Sequence, residues 1–187
     1  MELRRIRAGL VFVALCCPIR TTPAQAAAPS PAASTPPCRA TEVSRNLDFW
    51  IGDWDVYADG QLAGRDQVER LLDGCAVVER WRDTAGDEGM SLFAYDARRD
   101  LWTQTWVTAR TDFPGGLKSK VLRAHTPTST TFQGELETRA GVVFYDRTIL
   151  TAQADGHVRQ QIQTSRDGVE WKTGFDAIYV AHGSQPQ

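Results

Sequence analysis

Turn signals divide most of this chain into about ten short runs of strand character, and almost no stretch is left that could hold a helix. Three of the signals are Asp-Gly pairs of the tight-hairpin kind: Asp73-Gly74, Asp155-Gly156 and Asp167-Gly168. A fourth, Asp59-Gly60, closes the first run. Such pairs allow φ > 0 at the turn centre and match the twist of the flanking strands. Runs joined hairpin by hairpin make a meander, and a long meander exposes two raw edges unless it closes. The sequence therefore predicts an all-β fold, an antiparallel up-and-down β-barrel of about ten strands. Barrels of that size have room for one small ligand.

The front of the chain is of a different kind. Arg4, Arg5 and Arg7 precede an apolar run over 8–17, and Ala24-Gln25-Ala26 forms an A-x-A site. This layout predicts a cleaved signal peptide over 1–26. The run falls short of the roughly twenty residues that a bilayer requires, so no membrane span is expected after cleavage. Residues 27–43 are rich in Ala, Pro and Ser and are expected to form a flexible tether. The barrel domain is placed over 44–182 and a disordered tail over 183–187. The expected location is exported, either periplasmic or secreted.

Cysteine use agrees with export. Without residues 1–26 only Cys38 and Cys75 remain. Two cysteines in an oxidising compartment are expected to pair, which would pin the N-terminal segment beside the Asp73-Gly74 turn. The alternative is a buried thiol at Cys75 and a free Cys38. No metal site is expected, because two cysteines without a histidine cluster do not make one. The net charge is −2 and no basic stripe is present, which argues against nucleic acid as a partner. Lys118, Lys120 and Arg123 cluster on one run and are assigned to a solvated strand face.

Alternation assigns strand faces. Val77, Glu79 and Trp81 share one face. Trp102, Gln104 and Trp106 share a second, and Phe132, Gly134 and Leu136 a third. Val158, Gln160 and Ile162 share a fourth. Trp171, Thr173, Phe175, Ala177 and Tyr179 share a fifth. Glu79, Gln104 and Gln160 interrupt otherwise apolar faces. An unsatisfied buried polar group costs roughly 1–3 kcal/mol. Several converging on one interior predict a cavity for water or a polar-ended ligand.

Phe49 to Tyr57 is expected to form a short N-terminal helical turn running into a strand. Within it, Gly52-Asp53-Trp54 resembles the Gly-x-Trp signature of lipocalin-like (calycin) barrels. The resemblance implies that Trp54 plugs the closed end, with Gly52 beside it. It also implies an arginine stacked on that ring, and Arg147 or Arg159 could serve. More of the chain resembles a family of small exported bacterial proteins known only as a domain of unknown function. The matching stretches are Phe49–Val56, Gly74–Glu79, Tyr95-Asp96, Trp102–Val107, Gly156–Gln160, Ser165–Gly168 with Trp171, and Phe175-Asp176 with Tyr179. That resemblance implies a barrel and an exported location. It supplies no activity.

The expected role is a binding or carrier module for a small, partly apolar ligand. Trp81, Trp102, Trp106, Phe175 and Tyr179 would form the wall, with Glu79, Gln104 and Gln160 as orienting groups. An enzyme is the first alternative, with Glu79 as a buried acid–base carboxylate and Asp146 as second choice. Haem would need His157 or His182, and no cofactor is expected. An envelope interaction module is the remaining alternative, with Trp50 or Phe113 as an exposed contact. Nothing in the sequence sets an oligomeric state.

Overall fold

A computed structural model describes residues 37–110 and 115–184. The expected signal peptide, residues 27–36 of the expected tether, Phe113 and residues 185–187 of the tail lie outside the described residues. The described chain is all-β. Its strands are β1 (Gly52–Ala58), β2 (Gln61–Leu71), β3 (Ala76–Asp83), β4 (Glu88–Asp96) and β5 (Leu101–Thr108). The second half supplies β6 (Leu117–Thr126), β7 (Ser129–Glu137), β8 (Val143–Ala152), β9 (Val158–Ser165) and β10 (Lys172–Ala181). Each pairs antiparallel with its neighbours in sequence, and β1 pairs with β10, so the ten-stranded barrel is closed. No helix among the described residues is long and apolar enough to cross a membrane.

The Asp-Gly pairs divide into two kinds. Asp59-Gly60 is the tight hairpin expected, with φ of 50° and 73° at its two central residues. The other three sit in longer loops. Asp155 and Asp167 each use a carboxylate oxygen to accept backbone N–H groups two residues on, from His157 and Val169, at 2.9 Å. The aspartate side chain builds these turns, where a two-residue hairpin was expected. Asp73-Gly74 lies in a 3₁₀ turn, Leu72–Gly74.

A bulge corrects one strand face. In β10 the register shifts between Thr173 and Phe175, so Thr173 pairs with Gln163 while Phe175 pairs with Ile162. One extra residue at Gly174 flips everything before it. Phe175, Ala177 and Tyr179 point inward as expected. Trp171 and Thr173 lie on the outside, where Thr173 accepts a hydrogen bond from Gln163 at 3.0 Å.

One barrel end is sealed by the segment before β1. It makes 3₁₀ turns at Pro37–Arg39, Val43–Arg45 and Asp48–Trp50. Cys38, Ser44, Leu47 and Trp50 are buried. Residues 38–43 are therefore folded against the barrel and not part of a loose tether. The Cys38–Cys75 disulfide holds the segment to the β2–β3 loop, with Cα atoms 4.8 Å apart. Asp48 forms salt bridges with Arg39 and Arg70. Trp102 donates from Nε1 to the Val43 carbonyl at 2.8 Å.

Trp50 is fully buried at this end and meets Phe93 and Tyr179 edge-on, at 5.5 and 6.2 Å between ring centroids. It cannot serve as an exposed contact residue. Trp54 backs it, donating from Nε1 to the Trp50 carbonyl at 3.0 Å. The seal thus centres on Trp50, with Trp54 as its support. Gly52 fits beneath Trp54, whose ring would lie 3.2 Å from a Cβ at that position.

Candidate functional site

The opposite half of the barrel interior is not filled. A cavity of about 220 Å³ is lined by Glu79 and Trp81 of β3, Gln104 and Trp106 of β5, and Lys118 and Lys120 of β6. Thr148 of β8, Gln160 and Ile162 of β9, and Phe175 and Tyr179 of β10 complete it. Alternation puts each of these side chains on the inner face, because their sequence neighbours point to solvent. Seven of the eight residues expected around a ligand therefore surround one space: Glu79, Trp81, Gln104, Trp106, Gln160, Phe175 and Tyr179. Trp102 does not. The stagger of β5 carries it to the sealed end, where it packs on Tyr95 at 5.2 Å.

The wall is apolar toward the mouth. Trp81 and Phe175 meet edge-on at 6.4 Å, with Trp106 and Ile162 beside the same space. Two glycines hold the indoles in place. A Cβ at Gly89 would come within 2.4 Å of the Trp106 ring, and one at Gly64 within 2.7 Å of the Trp81 ring. Each ring packs against a neighbouring strand at a site that has no side chain.

The floor is polar. On one side Glu79 lies within hydrogen-bonding reach of Asp66, Ser91 and Gln160. Burial pushes the Glu79 carboxyl up to about 7, against the pull of those hydrogen bonds and of the Lys120 charge. Asp66, on β2, is raised well above the usual carboxylate range by burial first and the Glu79 charge second. Neither Asp66 oxygen has a donor among the described residues. Two carboxylates only repel, so Asp66 and Glu79 become hydrogen-bonded partners when the pair holds a proton.

On the other side stand two lysines. Lys120 Nζ donates to Thr148 Oγ1 at 2.6 Å and lies 2.9 Å from Asp146 Oδ2. Lys118 Nζ reaches the same oxygen at 3.3 Å. Burial pushes the Lys120 amine down to about 8; Asp146 opposes this and Lys118 adds to it. Between the two sides, Gln104 donates to Ser91 Oγ at 3.1 Å and leaves its Oε1 without a donor among the described residues. Tyr179 donates its hydroxyl to Gln160 Oε1 at 2.9 Å.

Several expectations are corrected here. Lys118 and Lys120 point into the barrel and not onto a solvated face. Their register with Leu122, an apolar residue on the same alternation, is the signal that would have found them. Asp66 is hidden in the sequence because β2 carries polar residues on both faces, Arg65, Gln67 and Glu69 on one and Asp66 and Arg70 on the other. Neither candidate arginine stacks on Trp54. Arg147 and Arg159 alternate with inward Asp146, Thr148, Val158 and Gln160, so both point outward. Arg147 stacks on Trp171 at 3.8 Å, and Arg159 donates to Asp176 at 2.7 Å. His157 and His182 lie outside the cavity, their Nδ1 atoms 3.0 and 2.9 Å from Asp155 and Asp55. Among the described residues no group of three or more His, Cys, Asp and Glu is placed to hold a metal ion.

No known family model matches the chain, and no match to it was found among curated proteins.

Proposed function

We propose that this chain is an exported carrier or binding protein that holds a small, partly apolar ligand in its barrel, as its resemblance to exported calycin-like bacterial proteins implies. The observation that carries this reading is the division of one cavity into an aromatic mouth and a hydrogen-bonding floor. Small-molecule sites combine an apolar wall with a few placed polar groups in the same way. The ligand's apolar part lies between Trp81, Trp106 and Phe175, and its polar end faces Gln104 Oε1 and the lysines. The disulfide and the A-x-A site support export.

The test is mass spectrometry of protein purified from its native envelope, intact and after denaturing extraction. The expected result is a reproducible small molecule released on denaturation, bound to a chain that begins at Ala27. A chain that never carries a ligand, and whose tryptophan emission no small amphipathic molecule alters, would sink the proposal.

Glu79 favours a second reading, acid–base chemistry on the bound molecule. A buried carboxyl that titrates near 7 can both give and take a proton at neutral pH. Turnover of the extracted ligand by wild type, abolished in Glu79→Gln, would replace carriage with catalysis.

A further inference from the structure

Cationic side chains in this chain are divided by type. Eighteen are arginine and three are lysine. The surface ion pairs on β1–β4 and β9–β10 use arginine: Arg65 with Asp55, Arg80 with Glu69, Arg82 with Glu88 and Arg159 with Asp176. Two of the three lysines, Lys118 and Lys120, line the cavity. A guanidinium serves a buried ion pair at least as well as an ammonium, with more donors and weaker hydration. What only the amine can do is lose its proton and attack an electrophile.

We propose that Lys120 captures small apolar aldehydes inside the barrel as a reversible imine, an activity that rests on the reading of the cavity as a small-molecule site. The geometry supplies each part. Lys120 is 4% exposed, and its Nζ is held by Thr148 at 2.6 Å and Asp146 at 2.9 Å on the cavity floor. Lys118 brings a second ammonium to the same carboxylate at 3.3 Å. A desolvated lysine beside another cation is the arrangement that frees an amine for attack. The shift of Lys120 to about 8 leaves part of the population neutral near pH 7. Trp81, Trp106, Phe175 and Ile162 flank the approach and select an apolar substituent on the carbonyl. Glu79, Asp66, Lys118 and Asp146 are the ionisable groups around the reacting amine, with the Tyr179 hydroxyl on β10 held by Gln160.

The step conserves atoms and charge. The Lys120 ammonium gives one proton to the Glu79 carboxylate. The amine lone pair forms a C–N bond to the aldehyde carbon, and a nitrogen proton passes to the oxygen, giving a neutral carbinolamine. Glu79 returns its proton to the hydroxyl, the C–O bond breaks and one water leaves. The product is a protonated imine whose positive charge replaces that of the ammonium beside Asp146. No oxidant or reductant takes part, and hydrolysis reverses every step.

The experiment uses cinnamaldehyde with cyanoborohydride, which reduces the imine to a stable secondary amine, on the mature chain. Cinnamyl alcohol, which cannot form an imine, reports cavity binding separately through tryptophan quenching. With only three lysines, peptide mapping assigns the adduct without a variant. The expected result is one adduct per chain on Lys120, absent in Lys120→Arg and retained in Lys172→Arg. Glu79→Gln should slow its formation roughly 100-fold, the usual share of general acid–base catalysis. If the alcohol quenches and the aldehyde leaves Lys120 unlabelled, or labels exposed Lys172 equally fast, the imine proposal fails while the cavity reading stands. If the alcohol does not quench and no adduct forms on Lys120, both fail.

Discussion

The two ends of this barrel solve the same problem in opposite ways. At the sealed end the interior is filled with rings: Trp50, Phe93, Trp102 and Phe132 are all fully buried. Some polar atoms there are met locally, as when Trp102 donates to Val43 and Trp54 to Trp50, while Trp50 Nε1 has no acceptor among the described residues. In the cavity half three ionisable groups, Glu79, Lys118 and Lys120, line a shared space, and two more, Asp66 and Asp146, are buried against them. Hydrophobic residues of similar volume would make a buried ion pair unnecessary and often more stable. The sealed end is therefore built for stability, and the cavity half keeps groups whose stabilising value is small but whose chemistry is not.

Substitutions at the two ends can break or sharpen this contrast. The largest effect is expected from Trp50→Ala, a loss of about 3–5 kcal/mol measured by denaturant unfolding. A loss below about 1 kcal/mol would mean that the seal is not where stability resides. Lys120→Met comes next, at about 3 kcal/mol, because it strands Asp146 with Lys118 as its one remaining cation. Lys120→Met should also raise the pH at which Glu79 ionises, because the cation that favours its charged form is gone, so a carbonyl infrared titration of the pair should move to higher pH. A titration that does not move would separate the two sides of the floor.

The third contrast is in pH dependence. The folded chain holds a proton on Glu79 that the unfolded chain releases, between the ordinary value of 4.5 and about 7. Stability from this group is present at low pH and is lost as pH rises through that window. Lys120 acts in the opposite sense. Between about 8 and the ordinary 10.5 the unfolded chain holds the extra proton, so stability rises with pH there. The interior contribution should pass through a trough near pH 7–8. Glu79→Gln should flatten the acidic limb only, which urea midpoints across pH would show. A limb unchanged in Glu79→Gln would assign the proton to Asp66 alone.

The smallest stability effect is expected from Trp106→Ala, about 1 kcal/mol, because the ring is half-buried and lies over Gly89 at the mouth. Binding of a cavity ligand should nevertheless weaken by tenfold or more, as followed by quenching of the remaining tryptophans. The reverse pattern, a large loss of stability and intact binding, would make the mouth structural.

The barrel was legible because its strands alternate and its turns carry aspartate and glycine where the chain reverses. Alternation also placed Glu79, Gln104 and Gln160 on the inner face. It misled wherever the chain departs from a strict period. Gly174 inserts one residue, and Trp171 moves from the interior to the outside, against Arg147. Lys118 and Lys120 were misassigned for a different reason. Charge on a strand ordinarily marks the solvent face, whereas the alternation of both lysines with Leu122 points inward. The cationic half of the floor was thus visible in the pattern and hidden by residue type. Trp102 shows a further limit: a face can be read from one strand, but height along the barrel depends on the stagger of all of them.

The pairing of β1 with β10 has a consequence for how the chain reaches this state. The first and last strands are neighbours, so the barrel cannot close until the final strand has been made. Until then every intermediate presents two open strand edges, and closure must bring together segments more than a hundred residues apart, the kind of long-range pairing that slows folding. The Cys38–Cys75 bond spans only 37 residues and can fix the N-terminal clasp long before that. The order of events should therefore be clasp first and closure last, so that a chain delivered in an extended form would hold its cavity open to solvent until the moment the last strand docks.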